Sequence, residues 1–164
     1  MKTHSKLVFT SVVGLVVAIA SARACWADAA QADMPGKISV PQGWVLQTGH
    51  TKDSSRGAIT RSDGLAIVYD IGHGAGTRVT RADPARQLWY REQTIRGHTV
   101  KLELVKGKDD DMTLAVTFWD GAAVKTNPQT GPANFVVNVK NMQDLADAMT
   151  VVLSYEYGTS ELVR

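Results

Sequence analysis

The sequence predicts an α+β domain: a largely antiparallel sheet covered by a C-terminal helix and a second, short helix. Three observations carry this. Several short segments alternate apolar and polar residues, turn-forming pairs separate them, and two stretches show apolar residues at helical spacing. The order is strands, a helix, more strands and a closing helix.

The chain begins with Lys2 and Lys6 on an acid-free stretch, followed by an apolar run from Leu7 to Ala20 and a small-residue region from Ser21 to Ala30. This is the layout of a secretory signal peptide over residues 1–27, with cleavage expected between 24 and 29. A membrane span needs about 20 predominantly apolar residues, and this run is shorter. Residues 28–36, rich in Ala, Asp and Gln and closed by Pro35-Gly36, read as a flexible leader. Residues 37–164 read as one globular domain, a size that supports a core without staples.

Within that domain, Pro41-Gln42-Gly43 separates two short apolar runs between Lys37 and Gln47, predicting strand, turn and strand, and Gly49 to Ser55 reads as a loop. Arg56–Arg61 and Leu65–Ile71 flank Ser62-Asp63-Gly64, the Asp-Gly signature of a hairpin. Leu65, Ile67, Tyr69 and Ile71 mark one apolar face. Asp83 as N-cap, Pro84 at the first helical position, and Ala85, Leu88, Trp89 and Glu92 at helical spacing predict the short helix over Ala82–Glu92. His98–Val105 and Met112–Phe118 alternate cleanly and predict a second hairpin around the charged turn Gly107–Asp111. Asp120–Pro132 holds too many breakers for a regular element, and Phe135–Val139 reads as a further short strand. Asn141 caps the closing helix, whose expected apolar face is Met142, Leu145, Ala146, Met149, Val152 and Leu153.

Charge narrows the function classes. The whole chain carries 18 Lys and Arg against 16 Asp and Glu, but Lys2, Lys6 and Arg23 belong to the targeting segment. Without them, 18 − 3 = 15 basic residues face 16 acidic ones, so nothing supports nucleic-acid binding. Cys25 is the only cysteine. It stands where bacterial lipoprotein processing would acylate it, although Ala22 occupies the place of the usual Leu. Cleavage beyond it leaves a mature chain without disulfide, thiolate nucleophile or thiolate metal ligand.

One cluster has the side chains for catalysis. His50, Asp53, Asp70 and His73, with Ser54 and Ser55 nearby, would suit a divalent metal or acid–base chemistry if the loops at opposite strand ends converge. The competing reading gives Asp53 and Ser54 to a side-chain-capped turn, Asp70 to a strand end and His73 to a solvated loop. Gly72–Gly76 lacks the spacing of a nucleotide loop and reads as a flexible turn, while Asp109-Asp110-Asp111 lacks the glycine and distal glutamate of a calcium loop. Trp44, Trp89 and Trp119 each sit among apolar neighbours and read as core or rim.

The stretch Pro41-Gln42-Gly43-Trp44, Asp53-Ser54, Gly57, Asp63-Gly64 and Tyr69-Asp70-Ile71-Gly72 resembles a group of small exported bacterial proteins of unknown function. The early Pro-x-Gly-Trp and a closing helix running into Leu153-Ser154-Tyr155 are similar to the Mog1/PsbP-like fold, which implies an accessory or binding role and carries over no functional residue. The expectation is therefore an exported envelope or periplasmic protein that is non-catalytic, needs no cofactor and binds a protein or small-molecule partner. The alternatives are a small metal-dependent hydrolase using His50, Asp53, Asp70 and His73, and an interaction module lipid-anchored through Cys25.

Overall fold

The computed structural model describes residues 34–72, 75, 84–107, 111–119 and 131–157. Seven strands and one helix follow in chain order: β1 (Trp44–His50), β2 (Ser55–Arg61), β3 (Ala66–Ile71), β4 (Gln87–Ile95), β5 (His98–Lys106), β6 (Met112–Trp119), β7 (Ala133–Val139) and α1 (Met142–Val152). All strands lie in one sheet of order β1-β2-β3-β7-β6-β5-β4, and every neighbouring pair is antiparallel. The signal segment, with Cys25, lies outside the described residues.

Four hairpins, β1–β2, β2–β3, β4–β5 and the expected β5–β6 around Gly107–Asp111, build most of the sheet. Thr51 N–H donates to the Ser54 carbonyl at 2.8 Å, closing the β1–β2 turn around Lys52-Asp53. The expected loop from Gly49 to Ser55 is thus shorter than the sequence implies, because the ladder runs on to the pair His50–Ser55. At the β2–β3 turn, Arg61 N–H donates to Leu65 and Gly64 N–H donates to Arg61, with Gly64 at φ +96°. That is a three-residue loop whose last position needs the left-handed conformation glycine tolerates. Arg96 and Gly97, at φ +50° and +84°, form the two-residue β4–β5 turn, whose twist matches the strands it joins.

This last turn overturns one expectation. The short helix predicted over Ala82–Glu92 is strand β4, paired with β5 from Gln87 to Ile95. Helical spacing of Ala85, Leu88, Trp89 and Glu92 was a coincidence of sparse apolar residues: Leu88 and Trp89 are exposed and no apolar stripe is buried. The positive-φ turn at Arg96-Gly97 instead folds the segment back along β5, where its aromatic and β-branched residues are at ease. Asp83 lies outside the described residues, and Pro84–Arg86 form a turn.

The inner face of the sheet holds the core. Registers align Tyr69, Phe135, Val116 and Leu102 in one row and Ile71, Ala133, Phe118 and Val100 in the next, all buried. β7, expected only as a short additional strand, is longer and lies at the centre of the sheet, where it joins the two meanders. Helix α1 follows and covers this face through Leu145, Ala148, Val151 and Val152. Its buried stripe is rotated from the expected one, since Met142 and Ala146 face solvent and Asp144 is buried.

Both ends of the described chain close over the same core. Lys37 and Glu156 exchange two backbone hydrogen bonds of 2.8 Å, and Tyr155 Oη donates to the Pro35 carbonyl at 2.7 Å. Lys37–Val40, expected as a full strand, instead forms isolated bridges, Lys37 with Glu156, plus buried contacts of Ile38 and Val40. Met34 is also buried, three residues upstream of the expected domain start. Tyr155 stacks edge-on or tilted against Phe118, Phe135 and Tyr157 at 5.2–5.4 Å, a cluster in which each pair adds about 0.5–1.5 kcal/mol beyond area burial. Burial pushes the Tyr155 phenol well above its usual range.

Candidate functional site

Of the four residues singled out for catalysis, three lie among the described residues, each in a different setting. His50 ends β1 opposite Ser55, and Asp53 is an exposed turn residue. Thr51 Oγ1 donates to the Ser54 carbonyl at 2.9 Å and accepts from Ser54 N–H at 3.1 Å, so the turn is fastened by its own side chains. Asp70 is buried on β3, where its Oδ2 stands 3.1 Å from Arg56 Nε. His73 lies outside the described residues, as do Gly74 and Gly76 of the glycine loop and Asp109 and Asp110 of the acidic run. The described residues contain no group of three or more His, Cys, Asp or Glu placed to hold a metal.

The loops do meet in the main chain. A Cβ on Gly72 would stand 2.8 Å from the Asp53 carbonyl and 3.0 Å from Ser54 Cα. Gly72, at φ +132°, is therefore required twice over, by its backbone conformation and by the approach of this turn. What converges at this corner is backbone.

Asp70 belongs to a feature the sequence alone did not expose. The registers place Arg56, Asp70, Asn134, Thr117, Lys101 and Glu92 directly opposite one another on successive strands, giving one polar row across the outer face of the sheet. Thr117 Oγ1 donates to Asn134 Oδ1 at 2.7 Å, and both residues are buried. Asn134 Nδ2 reaches the Ala75 carbonyl at 3.4 Å, and Gly72 N–H donates to Pro132 at 3.2 Å. Asn134 in the middle of the row thus holds Ala75 against the sheet. Opposite-charge pairs end it on both sides, Arg56 with Asp70 and Lys101 with Glu92, the latter at 4.0 Å.

Beside this row the outer face is small and apolar. Ala58, Val68, Val136 and Ala115 stand opposite one another, and Val68 is 56% exposed. Val45, on the same face near the edge, is 59% exposed, and Trp119 is partly exposed at the far end of β6. Trp89 is also partly exposed, but its register opposite Leu104 puts it on the inner face, so the two indoles form no common platform.

A groove of about 570 Å³ runs beside the start of α1, lined by Arg61, Asp63, Asn138, Lys140, Gln143 and Asp144 among others. Arg61 is its hub. Nε and Nη2 donate to Asp63 at 2.8 and 2.7 Å, Nη2 also to Asp144 at 2.5 Å, and Nη1 to Asp147 at 2.5 Å. The guanidinium also lies 5.5 Å from the Trp44 ring centroid. The hydrogen bonds Arg61 donates to Asp63 and Asp144 hold it charged far above any working pH, so it serves neither as acid nor base. Arg61 in turn holds the Asp63 carboxyl down at about 2. The hub fastens β2 to the first two turns of α1 and leaves the groove polar.

The sequence carries a local signal for the polar row. Asn134, Val136 and Asn138 alternate with Phe135, Val137 and Val139, the period of a strand with a polar outer side. Arg61 with Asp144 and Asp147 had no such signal, since the partners are more than eighty residues apart.

Compared with protein-family models, curated proteins and solved structures, the chain matches none. No helix among the described residues is long and apolar enough to cross a membrane.

Proposed function

We propose that this is an exported protein of the bacterial envelope or periplasm, non-catalytic, that binds a protein or small-molecule partner on the outer face of its sheet. The observation that carries the reading is the asymmetry of the two faces. The inner face is closed by α1 and the terminal segments, whereas the outer face presents the row Ala58, Val68, Val136 and Ala115 with Val68 open to solvent. Small residues leave the sheet flat enough for close approach, and the adjoining Arg56, Lys101 and Glu92 supply a polar rim of both signs.

The test compares wild type and Val68→Glu as baits in envelope extract and in a thermal-shift panel of small ligands. A partner or a stabilising ligand held by wild type and lost by Val68→Glu supports the reading. Equal retention by both, or neither a partner nor a shift, removes it. Intact mass of the processed chain tests export separately: a start between residues 25 and 30 fits a cleaved signal, and an acylated Cys25 would show lipid anchoring.

A further inference from the structure

Only two strands border the sheet among the described residues, β1 and β4, and they differ in how they are guarded. β4 carries Arg91 at its midpoint with Glu92 beside it, and its ladder shifts register between Gln87 and Trp89. Charges and a bulge are the usual defences of an edge against pairing. β1, Trp-Val-Leu-Gln-Thr-Gly-His, has no Lys, Arg, Asp or Glu and no shift in its ladder with β2.

The hydrogen-bond parity of β1 is fixed by its turn. Thr51 bonds to Ser54, and bonded and non-bonded pairs alternate along an antiparallel ladder, so Gly49, Gln47 and Val45 turn their peptide groups toward β2. Leu46, Thr48 and His50 therefore direct theirs away from the sheet. The opposite edge of β2 agrees: Arg61 bonds to Leu65 of the β3 side.

We propose that β1 pairs with β1 of a second copy of this chain, antiparallel about a two-fold axis at Gln47, joining two sheets into one. With that axis Leu46 faces Thr48 of the other copy and Thr48 faces its Leu46, so both outward-directed residues meet as bonded pairs. Trp44 falls opposite His50 and Val45 opposite Gly49, which uses the whole strand and sets no like charges against each other. The same operation on β4 would place Arg91 against Arg91. This pairing is independent of the outer-face reading above, since it uses the edge.

Gln47 is exposed and would sit in a non-bonded pair with its own copy, where Cα atoms are about 4.5 Å apart, within the range a disulfide spans. Full-length Cys25→Ser protein carrying Gln47→Cys should give a reducible dimer on mild oxidation. Val45→Cys in the same background should not, since the two copies of residue 45 would be four residues out of register, about 13 Å. Sedimentation equilibrium of wild type should give twice the chain mass at micromolar concentration. Thr48→Pro, which removes an outward N–H without touching the β1–β2 ladder, should shift it to monomer with an unchanged far-UV circular dichroism spectrum. A wild-type monomer throughout the accessible concentration range, or Gln47→Cys coupling no faster than Val45→Cys, overturns the proposal. A peptide from another protein would then be the candidate for this edge.

Discussion

Tyr69 lies across Gly57. The two residues face each other on β3 and β2, and the Tyr69 hydroxyl continues past Gly57 to donate to the Gln47 carbonyl on β1 at 3.3 Å. A Cβ at Gly57 would fall 2.6 Å from Tyr69 Cζ and inside contact distance of both the hydroxyl and the Gln47 carbonyl. The missing side chain is what lets one aromatic ring tie three strands together.

Gly57→Ala should therefore destabilise, although alanine is ordinarily the better strand residue. A loss of about 1–3 kcal/mol is expected from overpacking against backbone that cannot move aside. Urea unfolding measures it, and a variant as stable as wild type would contradict the close packing. Tyr69→Phe, which removes only the hydroxyl, should cost about 0.5–1.5 kcal/mol.

Within the polar row, Thr117→Val should be worse than its isosteric shape implies. Asn134 Oδ1 would lose the donor 2.7 Å away while remaining buried, at a cost of about 1–3 kcal/mol. The double variant Thr117→Val with Asn134→Leu should recover part of this, because no unsatisfied acceptor is left. A double-mutant cycle in urea reads the coupling, and strict additivity would argue against it.

Asn141 caps α1 by accepting from Asp144 N–H at 2.9 Å. Its replacement by Ala should cost about 1 kcal/mol, and by Asp much less. Thermal melts followed at 222 nm distinguish the two; equal effects would mean the cap contributes little.

Asp63 provides a pH test of the Arg61 hub. Arg61 lowers its pKa from the ordinary 3.8 to about 2 in the fold, so the unfolded chain binds the proton more readily. The stabilisation is complete above about pH 4 and disappears as pH falls through about 2. Asp63→Asn should flatten the dependence of the urea midpoint over that window, and added salt should reduce the wild-type effect because Asp63 is exposed. A slope unchanged by the substitution would place the acid sensitivity elsewhere.

On the proposed non-catalytic reading, the protein should purify with well under one equivalent of transition metal by elemental analysis. Stoichiometric metal lost in both Asp53→Ala and His73→Ala would instead support the hydrolase alternative.

Much of the strand content was legible because alternation is local. β3, β5 and β6 have their apolar residues on one side within a single short window, and Asp63-Gly64 names its own turn. β4 was not legible, because Leu88, Trp89 and Glu92 fit two periods equally and only pairing with β5 chooses between them. The setting of Asp70 was not legible for a related reason: it is one residue from Ile71 yet faces the other side of the sheet, and its charge is matched by Arg56 across the strand.

By itself, then, the sequence determined the features that depend on neighbours in the chain: the hairpin at Ser62-Asp63-Gly64, the alternating faces of most strands and the Asn141 cap. Tertiary structure alone decided that β7 joins the two meanders, that Arg56, Asp70, Asn134 and Thr117 share a row, that α1 buries Ala148 and Val151 in place of Met142, and that β1 is an edge. Local periodicity records which side of an element is apolar. Which element lies beside it is set by long-range burial and register, and residues far apart in the chain reveal that only once the sheet has formed.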